Sequence, residues 1–344
     1  MDREELKNLI KRAVTEIPED VLFRLREMGD HPFAKAILEN IRVAKEEGRP
    51  ICQDTGLLTF VLESKDMGVT EIKSLRNEVL EAVKEATKDG ILRPNAIERP
   101  HKNTGTNVAT GHPHLIIIPS ERNRLWLIPK GGGSIAVSRF YTLKPIEGER
   151  EIARLVVKTV LEAGGKACPP YFVFAAAGGT EESSMLHAKL LMLKDLREPR
   201  TMYEEEVLKK INELGIGIMG LGEGKTALDF RITRLAKHPA VTSLSVIVSC
   251  RALRKAYLDL RSSSSFLRMS SIFSNISSRC FPIRYTLPQE EHIQNTSRLS
   301  YTFVGTRPRT YSLSTGRSLP LHSGHLTGLR FISRSPIAYN TSAT

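Results

Sequence analysis

Residues Cys52-Gln53-Asp54-Thr55-Gly56 put a thiol, an amide, a carboxylate and a hydroxyl in succession, ending at a glycine. Helical apolar sequence precedes them and an apolar, strand-like run at 57–62 follows. Four consecutive polar groups at such a junction are hard to account for as packing, because a buried polar group is costly without a partner. The stretch is therefore read as a chemical site. Cys52 is taken as a metal-cluster ligand, and Gln53 and Asp54 as substrate-handling groups.

Two more cysteines sit in comparable settings, Cys168 before Pro169 and Cys250 after Ser249, each where a loop meets an element. Any one of them alone fits a small buried hydrophobe, and thiolates in such numbers also suit an iron–sulfur site. With Cys280 as the fourth, no pair has CxxC or Cys/His knuckle spacing, which argues against a local zinc site. His238, before Pro239, is open to two readings, a surface turn residue or a positioned proton-handling group.

Three glycine clusters carry weaker signals. Gly131-Gly132-Gly133 is either a hairpin end or a bare-backbone cradle for an anion. Gly215-Ile216-Gly217-Ile218-Met219-Gly220 satisfies GxGxxG but follows an expected helix and opens none, unlike a dinucleotide fingerprint. Gly224-Lys225-Thr226 would need glycine where Met219 stands to complete a P-loop. A compact loop with close backbone approach explains this region better than nucleotide binding.

The elements that must position these residues follow from periodicity. Helical spacing is expected over 4–17, 20–28 and 32–47, leading into the Cys52 stretch. A strand at 57–62, a helix at 70–89 and a polar connection at 93–110 come next. That connection contains Asn103-Thr104-Gly105-Thr106-Asn107 and is read as a functional loop. Residues 115–119 and 125–129 are expected to pair as strands, and 147–162 to form a helix. Strands are expected at 171–177, 228–232 and 244–248, and helices from Thr180 to 193, at 202–214 and at 251–260. The irregular alternation predicts an α/β chain with a mixed-sheet α+β domain and several surrounding helices rather than a doubly wound sheet.

Composition divides the chain at residue 260. Of the net charge of +12 over 344 residues, +8 belongs to 261–344, which holds ten Arg, no Lys and only Glu290 and Glu291. The first 260 residues carry +4, so the basic character belongs mostly to the tail. That tail, opening at Ser262-Ser263-Ser264-Ser265, is expected to be disordered, since it offers little apolar surface to offset ordering. Domains are accordingly drawn as 1–260 and 261–344. The acidic start Met1-Asp2-Arg3-Glu4-Glu5 is unlike a secretory signal, and no apolar run approaches a membrane span. Cytoplasm is the expected compartment, where separated thiols are seldom disulfides. The arginines allow a distant reading as a nucleic-acid binder, although no stacking platform accompanies them.

Taken together, Cys52-Gln53-Asp54-Thr55-Gly56, Asn103-Thr104-Gly105-Thr106-Asn107, Lys130 to Ser134, Ala167-Cys168-Pro169-Pro170-Tyr171-Phe172, Gly178-Gly179-Thr180-Glu181, Gly215-Ile216-Gly217, His238-Pro239-Ala240 and Ser249-Cys250 resemble the iron–sulfur class I fumarases and tartrate dehydratases. The likeness is to their α subunit, or to the amino-terminal half of the single-chain forms. It runs from about Asp2 to about Leu260.

The resemblance implies a [4Fe-4S] cluster on Cys52, Cys168 and Cys250, with one iron open to act as a Lewis acid. It implies that Gln53, Arg93 and Gly133 contact a dicarboxylate, Asp54 joins the proton-transfer network and His238 stands near the substrate. The catalytic base and further carboxylate-binding cations would belong to a separate β subunit, in a heterotetramer. The implied reaction is reversible hydration of fumarate to malate, with tartrate dehydration as the alternative. The chain departs from the family at Ser134-Ile135-Ala136-Val137, at Gly222-Glu223-Gly224-Lys225-Thr226 and in its tail. An abrupt change of composition inside the helix expected at 251–260 points to a shifted reading frame or read-through beyond about Leu260.

Overall fold

The computed structural model of the chain describes residues 2–260. It opens on helices α1 (Arg3–Thr15), α2 (Glu19–Leu25) and α3 (Pro32–Glu47). The Asp2 carboxylate caps α1 by accepting from Glu4 N–H, and one face of that helix buries Leu6, Leu9, Ile10, Ala13 and Val14. Gly48 ends α3 in the left-handed region. Strand β1 (Leu57–Ser64) and helix α4 (Val69–Lys88) follow. Then come β2 (Ile97–Arg99), β3 (Lys102–Asn103), β4 (His114–Pro119) and β5 (Arg124–Lys130). A short helix, α5 (Gly132–Val137), leads into β6 (Arg139–Leu143), α6 (Glu149–Ala163) and β7 (Tyr171–Ala177). The described chain ends with α7 (Glu181–Leu190), α8 (Met202–Asn212), β8 (Ala227–Arg234), β9 (Thr242–Ser249) and β10 (Ala256–Asp259).

Two four-stranded mixed sheets organise these elements, in the orders β10-β5-β1-β4 and β6-β9-β7-β8. In the first, β1 is parallel to β4 and antiparallel to β5. In the second, β7 is parallel to β8 and antiparallel to β9. One core joins the first sheet (Phe60, Leu62, Leu127) to α1 and α4. Another joins the second sheet (Val173, Phe230, Val248) to α6 and α8. A third draws on both sheets, through Val61, Trp126, Phe172 and Phe174, and is completed by α2, α3 and Ala188 of α7. The mixed α/β architecture predicted from periodicity is the one observed.

Two local expectations are corrected. Residues 115–119 and 125–129 are strands but do not pair with each other; both flank β1. Residues 256–259, expected in a helix, form the edge strand β10, with Ala256 and Leu258 turned towards the core containing α1. Pairing with β5 and alternate burial outweigh the helical propensity of that segment. The chain is therefore not in a helix as it reaches Leu260, and the frame expectation rests on the change of composition alone. The polar connection at 93–110 carries the small β2–β3 ladder. The expected disorder, the nucleic-acid reading and Cys280 all concern 261–344, outside the described residues.

Candidate active site

Antiparallel pairing brings loops together at one end of each sheet. Leu57, at the start of β1, is registered with Lys130 at the end of β5, so the Cys52–Gly56 loop meets Gly131 and Gly132. In the second sheet Phe172, near the start of β7, is registered with Ser249 at the end of β9, which draws Cys168 towards Cys250. The Arg251 N–H donates to the Cys168 carbonyl at 3.2 Å, holding those two loops side by side.

Helix α5 ties the two sheet ends. The Cys250 N–H donates to Ser134 Oγ at 3.2 Å, and a methyl group added at Gly133 would lie 3.3 Å from the Lys166 carbonyl oxygen. At Gly131 an added Cβ would fall 2.8 Å from Asp54 Oδ2, so glycine is needed for the close approach. Gly56 has φ 82° and its Cβ would meet the Lys130 backbone at 2.7 Å. The glycines first weighed as a hairpin end or an anion cradle thus pack the Asp54 loop against the start of α5.

Asp54 is held from several sides. Its Oδ2 accepts from Gly132 N–H at 2.7 Å, and its Oδ1 accepts from Gly56 N–H at 2.9 Å and Asn95 Nδ2 at 3.2 Å. Arg254, only 3% exposed, donates Nη2 to the Asp54 carbonyl at 3.0 Å. Arg93 is anchored by its backbone, its N–H donating to Thr55 Oγ1 and its carbonyl accepting from Asn107 Nδ2. Its exposed guanidinium has no ion pair among the described residues. Gln53 is exposed on the Cys52–Gly56 loop.

All three described cysteines are free; Cys168 is exposed, and Cys52 and Cys250 are partly so. Cys168 has φ 55°, which turns the chain sharply just before β7. Tyr171 lies near Cys168 and Cys250, its phenol pushed up to about 12 by burial. Met219 N–H donates to the Pro169 carbonyl, so the glycine cluster at 215–224 folds beside the Cys168 turn as a compact loop.

His238 stands apart. It is exposed between the end of β8 and the start of β9, with its Nδ1 accepting from Ala240 N–H. Cys250 lies beyond the other end of β9, a strand length on the order of 25 Å away. Within one chain His238 therefore lies away from the three thiols. The reason is topological: β8 and β9 are joined at the end of the sheet remote from the cysteine loops.

Sequence reading missed Asn95, Arg254, Lys189 and the pair His112 and His114, all of which face the Asp54 region or the cavity next to it. The polar stretch at 93–110 was flagged as functional, and that signal covers Asn95. Arg254 carries no such signal, because its contact with Asp54 spans 200 residues.

The sequence pattern of the family described as Fumarate hydratase (Fumerase) matches residues 3–259. A protein of Methanocaldococcus jannaschii named "Putative L(+)-tartrate dehydratase subunit alpha" is 36% identical over 266 residues, covering 72% of this chain and 93% of that protein. A Geobacillus stearothermophilus protein named "Putative fumarate hydratase class I" is 30% identical over 277 residues, which span 73% of this chain and 53% of that longer one. The L(+)-tartrate dehydratase subunit alpha of Escherichia coli K12 is 27% identical over 285 residues, 78% of this chain and 93% of its own. The chain belongs to the fumarate hydratase (Fumerase) family of hydro-lyases.

Proposed function

We propose that the chain is the α-type subunit of a [4Fe-4S] hydro-lyase that reversibly hydrates fumarate to malate. The observation that carries this reading is the meeting of the Cys52, Cys168 and Cys250 loops around Gly131–Ser134 and Asp54. Three free, solvent-reachable thiols suit a cluster held by thiolates. Among the described residues no three His, Cys, Asp or Glu side chains converge on a point that would hold a single ion. That is compatible with a cluster, whose thiolates bind separate irons.

Cys52, Cys168 and Cys250 would hold the cluster. When bound, it supplies a Lewis acid that makes the substrate hydroxyl a better leaving group. The residues of the chain do the rest. Arg93 offers a planar guanidinium to a substrate carboxylate. Gln53 presents an amide from the Asp54 loop, and Gly133 would meet the substrate through its backbone, since a side chain there would run into Lys166 and Ala167. Asp54, oriented by Gly56, Asn95 and Gly132, joins the proton-transfer network. His238 is kept as a group near the substrate, although within one chain it lies at the other end of β9 from Cys250. The catalytic base comes from a β subunit, in a heterotetramer; relatives named as α subunits, and a longer relative of which this chain spans about half, support that division. A reducing cytoplasm suits such thiolates, and among the described residues no helix is long and apolar enough to cross a membrane.

Dehydration of L(+)-tartrate is the second reading, favoured by the name of the relative that is 36% identical. The test is anaerobic reconstitution of the full chain with iron and sulfide. Cluster absorbance is expected in the wild type and abolished when Cys52, Cys168 and Cys250 are all changed to Ala. An undiminished cluster in that variant would overturn the assignment. Turnover of fumarate against L(+)-tartrate by the complex with its β subunit then separates the two substrates.

A further inference from the structure

Residues 250–256 carry the chain from the end of β9 in the second sheet to the start of β10 in the first. This crossing is fixed on both sides of Arg254. Leu253 is buried in the core shared by the two sheets. Lys255, also buried, donates Nζ to Asp20 Oδ2 at 2.6 Å and to the Lys194 carbonyl at 2.7 Å. Between these anchors the Arg254 side chain reaches the loop before β1, where Nη2 donates to the Asp54 carbonyl.

The arginine is costly where it stands. It is buried, and its Nε and Nη1 have no hydrogen-bond partner among the described residues. A buried donor without a partner is destabilising, the more so on a charged group. Arg231 shows how a structural buried arginine is accommodated in the same molecule. It pairs with Asp229 and donates to the carbonyls of Leu196, Glu198 and Pro199. The hydrogen bond that the Arg254 guanidinium does make goes instead to the loop carrying Cys52 and Asp54.

Cys52 lies between two ties. On its amino-terminal side Ile51 donates its N–H to the Val14 carbonyl and accepts from Asn40 Nδ2. On the other side Arg254 holds the Asp54 carbonyl, from a crossing that begins at Cys250. We propose that Arg254 is a positioning residue of the candidate active site. It hangs the Cys52–Gly56 loop on the crossing that follows Cys250, fixing Cys52 relative to Cys250 and the Asp54 carboxylate relative to the start of α5. The tie itself stands on burial and the hydrogen bond; what it does for a cluster rests on the hydro-lyase reading above.

Hydrogen exchange in the full chain, before any cluster is loaded, reads the tie directly. The reporters are Gly56 N–H and Gly132 N–H, both bonded to the Asp54 carboxylate, and the controls are Val246, Ile247 and Val248 of β9. In Arg254→Met the reporters are expected to exchange at least about tenfold faster, the usual effect of losing a charged donor, with the controls unchanged. An apolar side chain of comparable length in place of a buried, poorly paired guanidinium is compatible with folding, and a general loss of stability would speed the controls too. Arg254→Lys, which keeps a charged donor, is expected to lie nearer wild type. Unchanged reporters in Arg254→Met, or reporters and controls quickened together, would overturn the assignment. Equal loss in the Lys and Met variants would also overturn it, by assigning the effect to packing. Cluster loading is a separate arm. After reconstitution, Arg254→Met is expected to release iron to a chelator at least about tenfold faster than wild type, as when a group supporting a metal ligand is lost. Unchanged release would overturn the role at Cys52. No cluster in wild type, with the reporters behaving as expected, would sink the hydro-lyase reading alone.

Discussion

Asp54, in the loop before β1, and Lys130, at the end of β5, are each defined by their immediate neighbours. Asp54 accepts from two backbone N–H groups and from Asn95, so its orientation is set before any substrate arrives. Lys130 has the opposite situation, an ammonium drawn from its ordinary 10.5 down to about 7, chiefly by burial. Between those two values the unfolded chain binds more protons at this site than the folded one. The destabilisation is therefore complete below about pH 7 and is relieved as pH rises towards the unfolded value. In buffers free of carboxylate anions, the melting temperature of wild type should rise from pH 7 to 9 more steeply than that of Lys130→Met. Parallel melting curves against pH would contradict this account of Lys130.

At the scale of elements, the site is built from the turns of two antiparallel strand pairs. Gly56 is the critical joint of the first pair, with φ 82° and no room for a methyl group beside the Lys130 backbone. Gly56→Ala should lower stability by more than about 1 kcal/mol, since a left-handed residue with a Cβ already costs that much before the clash is counted. Chemical denaturation would measure it, and a change within about 0.5 kcal/mol, the range of an ordinary surface substitution, would argue against the packing described. The same topology places His238 away from the three thiols within one chain, because the β8–β9 connection lies at the other end of its sheet. Strand β10 shows the limit of local propensity. Residues that favour a helix in isolation form an edge strand here because β5 offers an unpaired backbone and the core containing α1 accepts Leu258.

Across the described molecule, the two sheets are coupled through a shared core. Phe172 and Phe174 of β7 pack in the cluster that also contains Val61 and Trp126 of the first sheet. The Cys52 loop belongs to one sheet and the Cys168 and Cys250 loops to the other, so this core sets their separation. Phe174, fully buried, is the residue to test. Phe174→Ala should cost about 3–5 kcal/mol by cavity formation. It should also reduce cluster uptake in the reconstitution assay at temperatures where the chain remains folded. Full stability in urea, or normal uptake despite the lost stability, would show that the two sheets hold their loops independently.

Much of this was legible in the sequence. The amphipathic helices α1, α3, α4 and α6 and the apolar strands β1 and β7 followed from short-range periodicity, which burial of one face imposes whatever surrounds the element. The motif set, carried by residue types at loop boundaries, resembled the family to which the chain belongs. Short-range pattern could not reveal which strands are neighbours, that 256–259 would pair rather than coil, or that 132–137 would form a helix. It also could not bring Lys189 to Lys130, or Arg254 to Asp54 across 200 residues. Those placements depend on desolvation and pairing between segments remote in the chain. Such terms exist only once the two sheets have closed over their common core.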